Sequence, residues 1–520
     1  MQNPSDNVTL PFVARHRADV TGVLHGFDRL RLRGTLPSLY NPSVLARYLW
    51  LCQVFFKGFK AHACRLSERI LQAALNWVQQ AGRPSVYLAS TRASKEETAR
   101  QIAREEGVTH GPIALLRCVE PCQTYHLRGS QPILTQGKCL HLYFYQIHPR
   151  FGFMHLRLQT WFPFQIEICL NGREWLSRQL DQAHIGYQRQ ENYFAHIDDL
   201  PRAQALMDEQ STAPWEKELG ELLNQCHPLH KEICAPLDWE YYWTCCESEY
   251  ATDVMFQDPC ALQALYPSLV RHALLSFGSR DVLRFLGRNV PLSGRSKFAG
   301  EVVTDLPPRA EGLRVKHRVG RNSLKMYDKF GRGLRVETTI NACEDFQVYR
   351  TPQNQPEAKP EWRSMRRSIA DLERRAQVSQ AANERYLLAL SAVETKTPLK
   401  ELALPICRPR VREGRRHRAL NPWSEADGAL LEAINRGEWA VRGMRNRDLR
   451  AILHGQGTRE QEHRWSARIS RQLALLRGHG ILRKVSGTHR YHLTDKGRAI
   501  ISALLAARQA SAEELLKKAA

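Results

Sequence analysis

Residues Leu313–Asn341 read LRVKHRVGRNSLKMYDKFGRGLRVETTIN, and the folding of this stretch decides the character of the chain. Three short runs of β-type composition, Leu313–Val319, Ser323–Tyr327 and Leu334–Ile340, are separated by Gly320-Arg321-Asn322 and Phe330-Gly331-Arg332-Gly333. Glycine and asparagine accept the positive φ of tight turns at low cost, so the spacing predicts a three-stranded antiparallel meander. Its middle strand ends in Tyr327-Asp328-Lys329 and its last carries Arg335-Val336-Glu337. A tyrosine, carboxylates and cations on adjacent strands suit phosphodiester chemistry, and suit a basic sheet surface equally well.

Upstream, Val20–Leu36 mixes alternating Leu and Arg with Gly, as expected of one strand or a hairpin. Pro42–Phe59 and Ser67–Gln80 have helical spacing, Ser85–Ala89 is strand-like, and Ser94 with Glu97 forms a capping box that opens a helix to Glu106. Ile113–Val119 reads as a further strand, and Cys139–Gln146, Gly152–Thr160 and Phe164–Leu170 as a second meander. The third strand of that meander, Gln165–Asn171, aligns with Arg335–Asn341. Both set a Glu in an apolar strand and end in Asn, and Gly172-Arg173-Glu174-Trp175 opens a helix after the first. An internal duplication of α/β halves would make Glu167 the counterpart of Glu337, and the two in one cleft would hold Mg²⁺ or Mn²⁺. Chance similarity between short strands is the competing explanation.

Leu200–Asn224 is helical by spacing. Cys226, His230 and Cys234 follow at i, i+4 and i+8, which on one helix would offer Zn²⁺ two thiolates and an imidazole. Pro228 disturbs that helix, and buried thiols are the alternative. Cys118 and Cys122 form another close pair. Trp239–Phe256 is aromatic and acidic; as a helix it would set Glu249 and Asp253 one turn apart, either as a Mg²⁺ pair or as a solvated face. Leu262–Leu286 is helical and runs into Gly287–Ala299, where Arg288, Arg295 and Lys297 sit among Gly and Ser in reach of phosphates or of solvent.

At 520 residues the chain can bury several cores, and its apolar content of 43% argues against wholesale disorder. No apolar run is long enough to span a bilayer, and the polar start MQNPSDNVTL lacks the pattern of a signal peptide. Thirteen cysteines without a framework spacing point to reduced thiols and a cytoplasmic setting. The net charge is +22, and residues Phe346–Ala520 hold 34 Lys+Arg against 18 Asp+Glu, so +16 of it lies in the last third. Such a concentration points to a polyanion, because neutralising phosphates releases condensed counterions.

That last third begins with a Pro-rich linker, Thr351–Glu361, and an Arg-studded helix over Trp362–Val393 with Met365, Ile369, Leu372 and Ala376 on one side. Arg408–Arg418, RPRVREGRRHR, has no apolar periodicity and reads as a mobile basic hinge. Ser424 caps a helix through Asn435; Asn446–Leu453 and Glu460–Gly478 are two more. Ile481–Val485 and His489–Leu493 form a hairpin, and Thr494 caps a last helix through Ala507. In this order and spacing the segment resembles winged helix-turn-helix DNA-binding domains, LALLRGHGILRKVSGTHRYHLTDKGR matching their recognition helix and wing. The resemblance implies that Arg464, Ser466, Arg468 and Arg471 face the major groove or flanking phosphates. It likewise puts Arg483, Lys484, His489 and Arg490 on the backbone or minor groove. Arg412, Arg415 and Arg416 would add phosphate contacts from the hinge.

Asn322–Asn341 in turn resembles a segment of rolling-circle replication initiators of plasmids and phages, where a strand ending Tyr-Asp/Asn-Lys precedes one reading Leu/Phe-Arg-φ-Glu. That implies Tyr327 as nucleophile on a DNA phosphodiester, Lys329 with Lys325 and Arg335 as its positive field, and Glu337 on Mg²⁺ or Mn²⁺. The chain has Ser323 where related initiators carry a further tyrosine, and its nearest approach to a His-hydrophobic-His metal motif is His141-Leu142-Tyr143.

The expected fold is α+β: a two-lobed mixed α/β body with antiparallel meanders (1–199 and 200–345), an Arg-rich linker helix and basic linker (346–422), and a winged helix (423–520). The expected function is site-directed duplex DNA binding in the cytoplasm without membrane attachment. The alternatives are a mobile-element protein that nicks DNA through Tyr327 and a protein that binds structured RNA.

Overall fold

Val20–Thr35 is a single 16-residue strand, strictly alternating from Arg29 to Thr35 and buried on three successive residues at Gly26–Asp28. Leu30 and Leu32 are buried on one face, and Arg29, Arg31 and Arg33 emerge on the other. The computed structural model describes residues 10–509 apart from 130, 289–301, 307, 310–311, 352–356, 392–398, 413, 437–438 and 440–442. The fold is α+β, as expected. Two compact units are each assembled from segments distant in sequence: 24–252 with 339–380, and 10–23 with 253–338 and 381–509. They are called the sheet unit and the meander unit below.

In the sheet unit the strands run in the order Tyr242–Phe256, Val20–Thr35, Ile166–Asn171, Gly152–Gln159, Gln131–His148, Gly111–Arg128, Ser85–Tyr87. Ser85–Tyr87 is parallel to its neighbour, which it reaches through the helix Lys95–Glu105. That helix is capped by Ser94 Oγ, which accepts from the Glu97 amide at 3.2 Å. Leu30, Leu32, Phe144, Leu156, Ile166 and Ile168 build the apolar face, against which the helix Phe59–Gln80 packs Leu66, Ile70 and Ala74. Asn171 ends its strand as expected and starts a helix, Gly172–Gln182, its Oδ1 accepting from the amides of Arg173 (2.9 Å) and Glu174 (3.0 Å). Only glycine fits at 172: a Cβ there would lie 1.9 Å from the Phe27 carbonyl oxygen. Asn341 opens no such helix; a 3-10 turn, Cys343–Asp345, follows it, so the likeness between the two meanders ends with their strands.

Three sequence-based expectations change in this unit. Trp239–Phe256 is not a helix; Tyr242–Phe256 is a strand. Its Trp, Thr, Tyr and Val residues favour the pleated surface, and the i, i+4 spacing of Glu249 and Asp253 is equally that of one strand face. Ile113–Val119 is the start of an 18-residue strand, Gly111–Arg128, paired along its length with Gln131–His148. The helix expected from Trp362 begins at Leu372, because Glu361–Ser364 is a strand paired with Gln347–Arg350. Leu372–Leu390 is a connector in sequence only: Leu372 and Ser379 are 0% exposed and Arg375 1%.

In the meander unit the predicted turn residues do what their chemistry allows. Gly320 (φ +58°), Phe330 (+55°) and Gly331 (+72°) take left-handed turns between Gly312–Val319, Asn322–Lys329 and Gly333–Ile340. The first two strands pair antiparallel, Arg314 opposite Tyr327 and Lys316 opposite Lys325. The expected helix Leu262–Leu286 is two, Pro259–Ser276 and Ser279–Phe285, with Asp281 accepting from the Gly278 amide at 2.8 Å at the break. The Gly287–Ala299 loop, with Arg295 and Lys297, lies outside the described residues beyond Arg288.

The C-terminal part has its own core, which begins at Ile406 and includes Leu431, Leu449, Ile469, Leu476, Ile481 and Ile501. Its elements follow the expected order: helices Glu425–Ile434, Asn446–His454 and Arg459–Gly478, a hairpin of Leu482–Lys484 with Tyr491–Leu493, and a helix Asp495–Gln509. Ser424 caps the first helix and Thr494 the last, their hydroxyls accepting from Asp427 (3.3 Å) and Gly497 (2.9 Å) amides. The basic hinge is not irregular: Arg410–Arg412 pairs with Arg415–His417 about a turn with Gly414 at φ +72°.

A buried charge pair of the meander unit joins Arg335 to Asp253. The guanidinium is 0% exposed and grips the carboxylate with both arms, Nε to Oδ1 at 2.5 Å and Nη2 to Oδ2 at 2.8 Å. Arg335→Ala would strand a buried carboxylate and is expected to cost about 3–5 kcal/mol in a urea titration. Replacing both partners with apolar residues of similar volume should recover most of that loss.

Candidate functional site

The meander brings Tyr327, Lys325 and Glu337 together. Tyr327 is 7% exposed, and its hydroxyl donates to Glu337 Oε2 at 2.6 Å. Lys325 pairs with the other oxygen, Oε1. Arg314 and Lys329 sit over the tyrosine ring at 5.7 and 5.6 Å from its centre. Burial alone would push the Glu337 carboxyl up, but the Lys325 ammonium and the two hydrogen bonds outweigh it and hold the group below the usual carboxylate range. Asp328 accepts from the Gly331 amide at 2.9 Å and so shapes the turn. Lys325 and Tyr327 thus each hold one oxygen of Glu337, and a nucleophilic Tyr327 would have to give up its hydrogen bond to the carboxylate.

Glu167 is held in a similar way in the sheet unit. Arg31 Nη2 donates to its Oε1 at 2.6 Å and Arg33 Nη2 to its Oε2 at 3.4 Å. Here too burial opposes and Arg31 prevails, so the carboxyl stays low. The strand registers place Glu167 on the polar face of the sheet, opposite Arg33 on one neighbour and Arg157 on the other. Cys122, Cys139 and His141 share that face on the long hairpin, where Cys139 stands opposite Glu120 and Cys122 opposite Gly137. A cavity of about 170 Å³ opens there, lined by Arg33, Cys122, His141, Arg157, Gln159 and Glu167 among others. Glu120 is compensated by Lys95 at 2.8 Å, Arg157 at 3.2 Å and the Tyr143 hydroxyl at 2.8 Å. Burial, reinforced by Arg157, pushes His141 down to about 4. The Cys122 and Cys139 sulfurs lie 3.4 Å apart, and a hydrogen bond between them lowers the first thiol and raises the second.

Cys226, His230 and Cys234 do not form a helix face. The helix Trp215–Cys226 stops before His227-Pro228, and His230–Cys234 is a separate turn of helix. Burial pushes the thiols of Cys226 and Cys234 up, the latter to about 11. They are core thiols, packed in the sheet unit's apolar cluster.

The C-terminal surface is built differently. Arg464, Arg468 and Arg471 are exposed on the helix Arg459–Gly478, and Arg483, Lys484 and His489 on the hairpin after it, with Arg490 half-buried. Arg464 lies 3.4 Å from Glu460 on its own helix. Ser466 is not directed outward alone: its hydroxyl donates to Asn446 Oδ1 at 3.2 Å, while Asn446 Nδ2 donates to the Ser466 carbonyl at 2.8 Å, tying two helices together. Arg412 donates to the Arg477 carbonyl at 2.8 Å, and His479 Nε2 lies 2.7 Å from the Arg418 carbonyl. Those bonds dock the basic hairpin Arg410–His417 on the end of the long helix. Among the described residues, Arg415, Arg416, Arg468, Arg471, Arg483 and Lys484 take part in no ion pair.

Sequence reasoning missed the cluster of Cys122, Cys139 and His141. The available signal was the period-two spacing of Cys139 and His141 on a predicted strand; what hid it was that the partner strand was ended too early, at Val119. Comparison of the chain with protein-family models, with curated proteins and with solved structures gives no match.

Glu337 carries a pH dependence with a definite sign. Its folded value lies below the ordinary 4.5, so its contribution is complete above 4.5 and is lost as pH falls toward the folded value. The stability difference between the wild-type chain and Glu337→Gln, from denaturant midpoints, should be constant near neutrality and shrink as pH drops through 4.5.

Proposed function

We propose that the chain binds duplex DNA through its C-terminal part. The helix Arg459–Gly478 would lie in the major groove, with the hairpin Leu482–Leu493 and the basic ribbon Arg410–His417 on flanking phosphates. The observation that carries this reading is the contrast in charge. Lys325 and Arg335 in the meander, and Arg31, Arg33, Arg157 and Lys95 on the polar sheet face, are matched by carboxylates, whereas Arg468, Arg471, Arg483 and Lys484 of the C-terminal surface are exposed to solvent. A surface with Arg415, Arg416, Arg468, Arg471, Arg483 and Lys484 outside any ion pair among the described residues, spread over three adjoining elements, suits a polyanion. A 20-residue helix is about 30 Å long, enough to cross the groove, and Arg464, Arg468 and Arg471 at i, i+4 and i+7 share one side of it. Planar guanidiniums in that spacing can read guanine edges, which is the basis for a site-directed rather than a purely ionic interaction. Tyr327 has no part in this reading, because its hydroxyl and the Glu337 carboxylate satisfy each other.

Arg468→Ala with Arg471→Ala should weaken duplex binding across sequences and lower the slope of log K against log salt by about 0.9 per lost phosphate contact. Fluorescence anisotropy over a salt series measures both. Tyr327→Phe should leave affinity unchanged. An unaltered slope in the double variant, or tighter binding to structured RNA than to duplex DNA at the same salt, would overturn the proposal.

A further inference from the structure

We infer that Cys122, Cys139 and His141 form a binding site for a thiophilic divalent cation, Zn²⁺ by chemistry, whose fourth coordination position faces the cavity on the polar side of the sheet. The inference stands on residues separate from the DNA-binding surface, so either can fail without the other.

The strand register makes the cluster. Cys139 and His141 are two apart on Gln131–His148 and point to the same side, and Cys122 reaches them diagonally from Gly111–Arg128. The three ligand atoms all lie within 4.8 Å of one another, and the two sulfurs are 3.4 Å apart. Bond lengths of about 2.3 Å to sulfur and 2.0 Å to nitrogen in a tetrahedron require S···S near 3.8 Å and S···N near 3.5 Å. Side-chain adjustments of a few tenths of an ångström therefore suffice for the sulfurs. Two thiolates and an imidazole form a donor set that prefers Zn²⁺ to the hard cations Mg²⁺ or Ca²⁺.

A second observation concerns the imidazole. His141 Nδ1 lies 3.2 Å from the Cys139 carbonyl oxygen, so the ring can donate there and keep the lone pair of Nε2 for a metal. A backbone carbonyl holding the far nitrogen is the usual support of a metal-binding histidine. The protein supplies three ligands, and Cys122 and His141 border the cavity, so the remaining position opens into a space of about 170 Å³. Arg33, Arg157 and Gln159 line the same space. Water or a small anion fits there, as in zinc sites that keep one position open.

The test uses the full chain, reduced and freed of metal, with Co²⁺ and Zn²⁺ as the probes. One equivalent of Co²⁺ should give the absorption of a thiolate-bound tetrahedral ion, and Cys122→Ser and Cys139→Ser should each abolish it, while Cys407→Ser does not. Alkylation mapped by mass spectrometry needs no variant. Zn²⁺ should slow modification of Cys122 and Cys139 at least tenfold while leaving the exposed Cys260 and Cys407 at their original rates. A reduced chain that shows no thiolate–cobalt absorption, or in which Zn²⁺ protects Cys226 and Cys234 instead, would overturn the assignment.

Discussion

A guanidinium can be buried only where carboxylates or carbonyls meet it, and both units of this protein are organised around arginines that satisfy the condition. Arg335 is 0% exposed and grips Asp253 with two hydrogen bonds. Arg375, 1% exposed, donates to the carbonyls of Ile340 (3.1 Å) and Cys245 (3.0 Å) and to the Ser248 hydroxyl (3.2 Å). In the sheet unit Arg31 and Arg33 converge on Glu167, and Arg157 and Lys95 on Glu120. The alternation of Leu and Arg along Val20–Thr35 thus yields two products: an apolar face that collapses, and a polar face whose charges neutralise one another.

Seen from that constraint, the C-terminal part is the exception. Its apolar residues form a core of ordinary kind, while Arg415, Arg416, Arg468, Arg471, Arg483 and Lys484 stand on the outside and, among the described residues, take part in no ion pair. Such a surface repels itself, and under the proposed reading a polyanion would supply the missing charge. The docking of the Arg410–His417 ribbon on the Arg477 carbonyl adds four arginines beside the helix against a single carboxylate in its sequence, Glu413. Charge that is internal elsewhere is here presented outward, and that difference in placement, more than the overall +22, carries the functional argument.

Much of the fold could be read from residues whose local chemistry allows one outcome. Gly320 and Gly331 turned where positive φ was required, Asn171 capped the helix expected after it, and the C-terminal helices began at Ser424 and Thr494. The errors lie where local pattern is ambiguous. Glu249 and Asp253 fit a helix turn and a strand face equally, and only sheet pairing decides between them. The basic ribbon lacks apolar periodicity, yet it pairs as a hairpin against the end of the long helix. The candidate sites were legible to different degrees. Tyr327, Lys325 and Glu337 were recognised as neighbours, but whether a carboxylate faces a metal or a lysine is a matter of side-chain geometry. The cluster at Cys122 depends on residues 17 apart in sequence, joined by the register of a hairpin whose length was underestimated.

Hydrogen exchange of the full chain, with and without a duplex oligonucleotide, tests most directly the claim that outward-facing charge marks the working surface. The account predicts protection concentrated in Arg410–His417, Arg459–Gly478 and Leu482–Leu493, with exchange in Gly111–His148 and in the meander Gly312–Ile340 unchanged. Protection confined to the strands of the sheet unit, with none on the C-terminal helix, would contradict it.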